Sequence, residues 1–247
     1  MLGAILVGNT TIRHALLEGE TVLCRGFVTI PEDGGPLPAH WFPKGGTITS
    51  VVVGGVHPGR LDELLRGPDL QGLDVKVAGR DLPIPMANRY DDPSQVGIDR
   101  LLNALAASRL WPGEGVVVAD FGTALSVSIV SPAGEFLGGP IAGGIRSLAE
   151  GLRSRTACLP WVVPDRPPER VGATSTREAM EAGIFWQVAA AAEKILERLS
   201  AELPFPFHAL ATGGDGVLFA PFIPRLERVD PDLALRGLAI CHEHLHH

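Results

Sequence analysis

Cysteine is scarce in this chain: Cys24, Cys158 and Cys241 are the only three, scattered with no C-x-x-C spacing. An odd number of isolated cysteines points to a reducing compartment, with thiols that are buried or inert. Basic clusters are missing as well. The formal charge is −7, and no Lys/Arg run overrides it, which argues against a nucleic-acid binder. No apolar stretch is long enough to cross a bilayer, so no membrane association is expected. No basic segment precedes the first turn, so a signal peptide is not expected either. Thirty Gly and 21 Pro are plentiful but spread as turns rather than as a low-complexity block. What remains is a cytoplasmic globular protein, 45% hydrophobic and 20% charged, with ample material for a core. Its 247 residues suffice for one large domain or two lobes of roughly a hundred residues each.

The most informative stretch is Val116–Gly139, VVVADFGTALSVSIVSPAGEFLGG. Val116–Ala119 is short, β-branched and preceded by Gly113 and Gly115, the pattern of a buried strand. It ends on Asp120 and turns through Phe121-Gly122-Thr123. A second apolar run, Ala124–Val130, closes at the turn-forming Ser131–Gly134. At the tip of such a hairpin, Gly122 lets a phosphate approach backbone N–H groups, Thr123 offers a hydroxyl, and Asp120 can hold a hard cation. An ordinary hairpin with a polar turn has the same pattern. A partial second copy, Ala4–Gly19, favours the functional reading: apolar run, Gly8-Asn9-Thr10, second run, glycine turn. Two such hairpins in one chain suggest a duplicated nucleotide-binding architecture, with ATP phosphates expected in a cleft between two halves. The copies differ at one position: where the second has Asp120, the first has Leu6.

Further along, Glu20–Thr29 reads as strand with Thr21, Leu23 and Phe27 inward, Ile30–Gly46 as loop, and Thr47–Val53 as strand. His57-Pro58-Gly59 opens a helix through Arg60–Arg66, with His57 a turn residue. Leu73–Val77 is a short strand, and Ile98–Leu110 is strongly helical, with Ile98, Leu101, Leu102 and Leu105 on its apolar face. Asp99 suits the first turn of that helix, whereas Arg100 opposes the dipole there and hints at a carboxylate or ligand partner. Gly138–Gly144 is a glycine-rich passage, read as a flexible connection, as backbone close to a phosphate or as a hinge between lobes, leading into a helix at Ile145–Arg155. Trp161–Arg170 is a Pro-rich loop. Ser175 and Glu178 form a capping box for a helix of about twenty residues. A strand at His208–Ala211 leads into Thr212-Gly213-Gly214-Asp215-Gly216, a plausible nucleotide-facing turn. The histidines at 242, 244, 246 and 247 crowd a chain terminus and carry no site.

The motif order GNT, Tyr90, GIDR, NA, DFGTA, GGPIAGGI, S-T-x-x-A-x-x-x-G and TGG resembles the type III pantothenate kinases, including the related Bvg accessory factor-like proteins, almost end to end. The resemblance implies an α/β chain with the duplicated actin-like ATPase (ribonuclease H-like) fold, two lobes around an ATP cleft. The lobes would be 1–112, carrying the first phosphate loop and GIDR, and 113–247, carrying DFGTA and TGG. It implies phosphorylation of pantothenate by ATP, the first step of coenzyme A synthesis, with magnesium, with potassium or ammonium, and in a homodimer. Carried over by position, Gly8, Asn9, Thr10 and Thr11 look like the first phosphate loop. Tyr90, Gly97, Ile98, Asp99 and Arg100 look like the pantothenate site, with Arg100 facing the acid's carboxylate and Asp99 the base. Asp120 would hold the monovalent cation, Thr123 would touch ATP, Thr176 pantothenate, and Gly213 and Gly214 would lie by the adenosine.

The departures from the family pattern matter too. The family has Asp-x-Gly-Asn-Thr at the first loop, and this chain has Leu6-Val7-Gly8-Asn9-Thr10. Leucine cannot ligate a hard cation, which takes oxygen donors. Ser175 for Asn and Gly143 for Pro are lesser changes. A working kinase, slow and demanding in magnesium, is therefore expected. The alternative is a weak or inactive paralogue that binds ligand or regulates. A sugar- or acetate-type kinase is disfavoured by Tyr90 with Gly97, Asp99 and Arg100.

Overall fold

The computed structural model describes the whole chain except residues 32–34, 39–41, 43–47 and 246–247. Much of the loop expected at Ile30–Gly46, the expected strand start at Thr47, and His246 and His247 lie outside the described residues. In chain order the first elements are β1 (Leu2–Val7), β2 (Thr11–Glu18), β3 (Thr21–Thr29), β4 (Ser50–Gly55), α1 (Pro58–Arg66), β5 (Asp74–Val77) and α2 (Ile98–Leu110). Then follow β6 (Gly115–Phe121), β7 (Ala124–Val130), β8 (Phe136–Gly138), β9 (Ile141–Gly143), α3 (Ile145–Arg155) and α4 (Thr176–Glu202). The last are β10 (Phe207–Thr212), α5 (Gly216–Phe219), β11 (Arg228–Val229) and α6 (Leu233–Glu243). Two compact units result: Met1–Leu110 with Asp232–His247, and Trp111–Pro231. Helix α6, which a single break after residue 112 assigns to the second lobe, is thus part of the first unit.

The first unit is built on the sheet β3-β2-β1-β4-β5, with β1 antiparallel to β2 and parallel to β4. Central β1 is covered on both faces, which is why LGAILV reads as an almost unbroken apolar run. Ile5 and Val7 cluster with Val51, Val53 and Leu64. Leu6 points to the other face, where Leu6, Leu102 of α2 and Leu238 of α6 lie 3.4, 3.0 and 3.1 Å from where a β-carbon on Gly54 would stand. Helix α6 crosses α2 so closely that any side chain at Gly237 would strike the Leu102 carbonyl. His57 caps α1, its Nδ1 accepting the Arg60 N–H at 3.4 Å, as its place in a turn leads one to expect.

Strand β3 corrects the expected facing. Leu23 is 51% and Phe27 70% exposed, while Val22, Gly26 and Val28 are partly covered. Pairing sets the phase: the register shifts between Leu16 and Leu17, opposite Cys24 and Val22, so Leu23 is the extra residue of a bulge. The cysteines fall in different settings. Cys241 is buried, which pushes its thiol up to about 12, but Cys24 and Cys158 are exposed.

The second unit repeats the plan. Its sheet runs β8-β7-β6-β10-β11, with β6 antiparallel to β7 and parallel to β10. Strand for strand this is the order of the first sheet, so the duplication read from the two hairpins is present in the topology. Alternation along β6 sends Phe121 into the core, where it stacks on Phe219 at 5.2 Å, and Phe219 stacks on Phe185 of α4 at 5.0 Å. Each buried Phe contributes roughly 1.5–3 kcal/mol, so this stack holds the end of β6 firmly. The glycine-rich passage is not a loose connection, because Gly138 ends β8 and Ile141–Gly143 forms β9, both paired with β7. Helix α4 runs 27 residues, longer than expected, from the Ser175 cap onward.

At the opposite end of the second sheet, His208 sits between two carboxylates. Its Nδ1 is 2.7 Å from Glu227 and its Nε2 is 3.0 Å from Glu114, and the ring stacks on Trp111 at 4.8 Å. These residues lie at or just before the starts of β10, β11 and β6, so the cluster ties three strand ends together. The hydrogen bond to Glu227 is the main cause of a His208 pKa raised above 6.5. A raised pKa stabilises the fold below the unfolded value, and the gain disappears as pH rises through the folded value. His208→Gln should therefore lower the melting temperature below pH 6.5 by about 1–3 °C, as for exposed ion pairs of ~0.2–1 kcal/mol. The gap to wild type should close as the solution is made alkaline. A gap unchanged from pH 5.5 to 9 would rule out the charged clamp.

Candidate active site

In the first unit, β1 turns into β2 through Gly8, Asn9 and Thr10, and the Gly8 N–H donates to the Thr11 carbonyl at 2.9 Å. Asn9 and Thr10 are exposed, while Gly8 and Thr11 are partly covered. In the second unit, β6 turns into β7 through Gly122 and Thr123, and the Gly122 N–H donates to the Ala124 carbonyl at 3.0 Å. The two turns share this glycine closure, and the first is one residue longer. Each leaves a Thr and backbone N–H groups at the carboxyl end of a central strand, the usual position for ligands in such sheets.

Around the second turn, the Thr123 carbonyl accepts from the Gly144 N–H at 3.2 Å and from the Ser147 hydroxyl, so the start of α3 is tied to the loop. The Asp215 N–H donates to the Phe121 carbonyl at 3.0 Å, bringing the Thr-Gly-Gly turn to the same place. Gly213 has φ +87, and a β-carbon there would run into an Asp120 carboxylate oxygen, so glycine is required at that point. Gly214 is exposed beside it. Asp120 pairs in register with Thr212 of β10, which puts both side chains on one face of the sheet. The Thr212 hydroxyl oxygen is fully buried and makes no hydrogen bond. Sequence reading placed Thr212 and Asp215 in the nucleotide-facing turn but gave neither a role of its own. Burial raises the Asp215 pKa while the charge of Arg146 opposes the rise. The signal for Asp215 is its place directly after the double glycine.

Within the first unit, Asp99 and Arg100 open α2. The Arg100 N–H donates to Asp99 Oδ1 at 2.9 Å and to the Gly97 carbonyl at 3.1 Å. Arg100 is buried at 6% exposure, unusual for an arginine in the first turn of a helix. Asp99 is partly buried, and burial is the leading cause of its raised pKa; the Arg100 N–H and the charges of Arg100 and Arg13 work against it. Ile98 is partly covered beside it. The Val56 N–H donates to the Val7 carbonyl at 3.0 Å, and Val56 approaches Gly97, so the end of β1 and the start of α2 share one end of this sheet. Tyr90 is partly buried in the preceding irregular segment, its N–H donating to Asn88 at 3.0 Å.

Thr176 is exposed at the start of α4, beside the Ser175 cap that accepts the Glu178 N–H at 3.3 Å. A polar groove of about 480 Å³ lined by Arg166, Glu169, Arg170, Arg177 and Glu178 flanks this end of the helix. Among the described residues, no group of three or more His, Cys, Asp or Glu is placed to hold a metal ion.

The duplicated sheets, with their glycine-closed turns, define a two-lobe actin-like ATPase fold, and the likeness to solved structures agrees. A conserved Baf family protein from Campylobacter jejuni, assigned as a transcriptional activator, superposes with a TM-score of 0.61 at 18% identity, covering 98% of each chain. A ROK family glucokinase from Streptomyces griseus, solved with glucose and AMPPNP, gives 0.55 at 14% identity, covering 98% of this chain and 99% of its own.

The sequence model of the type III pantothenate kinases matches residues 4–198. Type III pantothenate kinases from Sphingopyxis alaskensis and Moorella thermoacetica are 34% and 36% identical to it. The first alignment covers 96% of both chains, the second 98% of this chain and 99% of the relative. The chain belongs to the type III pantothenate kinase family.

Proposed function

We propose that the protein transfers the γ-phosphoryl group of ATP to the primary hydroxyl of pantothenate, giving ADP and 4′-phosphopantothenate, the first step of coenzyme A biosynthesis. Family membership supports the reaction, and the setting of Asp99 is the structural observation that carries it. In this reading the hydroxyl oxygen attacks the γ-phosphorus, its proton passes to Asp99, and the bond to the β–γ bridging oxygen breaks. A base whose pKa is raised by burial, against the opposing charges of Arg100 and Arg13, suits that proton transfer. Arg100 receives the pantothenate carboxylate, Tyr90 and Gly97–Ile98 line that site, and Thr176 contributes a further contact. Gly8–Thr11, Thr123 and Gly213–Gly214 serve the nucleotide.

Of the two ions, the monovalent one fits the residues present. The buried, unbonded Thr212 hydroxyl beside the Asp120 carboxylate supplies two oxygen donors for potassium or ammonium. A bound ion there would place positive charge at the second phosphate turn. Magnesium finds no carboxylate at position 6, where Leu6 is buried among leucines. In this reading a divalent ion is held mainly by the nucleotide and water. The Leu6 observation favours a second reading, a family member with little turnover that still binds ligand. We further assign a homodimer and a cytoplasmic location on the family resemblance. Among the described residues no helix is long and apolar enough to cross a membrane.

A coupled assay of ADP release, with and without pantothenate, tests the function: pantothenate-dependent release supports it, and binding without release supports the second reading. The carboxylate clamp makes a sharper prediction. Wild type should bind pantothenol, which lacks the carboxylate, at least ~10-fold more weakly than pantothenate, as for a lost charge-assisted pair of about 1.5–3 kcal/mol. Arg100→Ala should erase most of that preference. Equal binding of both compounds by wild type would remove Arg100 from the clamp.

A further inference from the structure

Arg13 belongs to no motif singled out in the sequence, yet its place in the sheet is well defined. It lies on β2 directly opposite Leu6 of β1, and residues paired in this way share a face of the sheet. That face is the one covered by α2, because Leu6 meets Leu102 over Gly54. Asp99 lies one turn before Leu102 on the same side of α2. Its carboxylate is 2.6 Å from where a β-carbon on Gly97 would stand, close to Val56 at the end of β4. Arg13 and Asp99 therefore share one face of the first unit, and the residue directly across from Arg13 is Leu6.

We propose that Arg13 is a positioning residue for the phosphoryl transfer, its guanidinium acting on the substrate hydroxyl through the Asp99 carboxylate. This rests on the reading of Asp99 as the proton acceptor. The charges bearing on Asp99 are those of Arg100, on its own helix, and Arg13, from across the sheet. Of the elements packed against α2, β4 has no ionisable side chain. Helix α6 carries Arg236, Cys241, His242 and Glu243 but turns Gly237 and Leu238 toward this face. Arg13 favours the ionised carboxylate while burial disfavours it, so Arg13 lowers the pH at which the base is lost to protonation.

The test is the pH profile of kcat/KM for pantothenate from pH 5 to 9 in wild type, Arg13→Met, Arg13→Lys and Asp99→Asn, with pantothenate affinity measured separately by calorimetry. Arg13→Met should move the acid limb up by about one pH unit, the effect of one nearby opposite charge. On the acid side that is a ~10-fold loss that recovers toward alkaline pH, with pantothenate affinity nearly unchanged. Arg13→Lys, which keeps the charge, should restore most of the acid limb. If Arg13→Met does not fold, Arg13→Lys carries the test, because a displaced charge should still shift the limb upward by a smaller amount. An acid limb that stays in place while the KM for ATP rises would overturn the proposal and assign Arg13 to nucleotide phosphates. An Asp99→Asn enzyme that still turns over with the wild-type acid limb would instead refute the base itself, whatever Arg13 does.

Discussion

Asp99→Asn should bind pantothenate as well as wild type does and transfer phosphoryl groups ~10²–10⁴-fold more slowly, the usual cost of removing a general base. The substitution is nearly isosteric and leaves an oxygen to accept the Arg100 N–H, so the start of α2 should stay intact. Only the ability to take a proton is lost. The raised pKa also fixes the direction of the pH dependence. Wild-type kcat/KM should fall on the acid side with a midpoint above the ordinary carboxylate value of 3.8, because the base is protonated there. A steady-state assay paired with calorimetry reads both quantities. Unchanged turnover in the variant would remove Asp99 from the chemistry.

Leu6→Asp, which restores the carboxylate of the family pattern, should be costly to the fold. Leu6 is 3% exposed and packs with Leu102 and Leu238 over Gly54. Aspartate there empties part of an apolar site and brings a charge into it, with Arg13 across the strand pair as partial compensation. The net loss should be ~2–4 kcal/mol. For a chain of this size that lowers the melting temperature by about 4–16 °C. Leu6→Asn, uncharged and of the same size, separates the loss of packing from the cost of the charge. A Leu6→Asp protein as stable as wild type would show that position 6 reaches water or an ion rather than the core. The departure from the family motif is thus matched by the packing around it: the first unit is built to hold a leucine.

Features set by neighbours in sequence were legible before any coordinates. Helices α2 and α3 and strand β7 span the residues that periodicity marked, His57 and Ser175 cap the helices they precede, and both Gly-Thr turns form where turn chemistry placed them. These depend on local dihedral preferences and on apolar spacing, which each segment carries by itself. The order of the motifs was enough to identify the family. Other features depended on which distant segments pair. The facing of β3 followed from a bulge against β2, and β9 was hidden because three residues gain a strand's hydrogen bonds only once β7 is beside them. The sequence by itself determined the repeat, the loops and the family; only the tertiary structure decided what surrounds each group. It put Leu6 among leucines, Arg13 on the face of Asp99, and an unbonded Thr212 hydroxyl beside Asp120. Burial and charge are properties of contacts between residues up to hundreds of positions apart, and no local pattern encodes them.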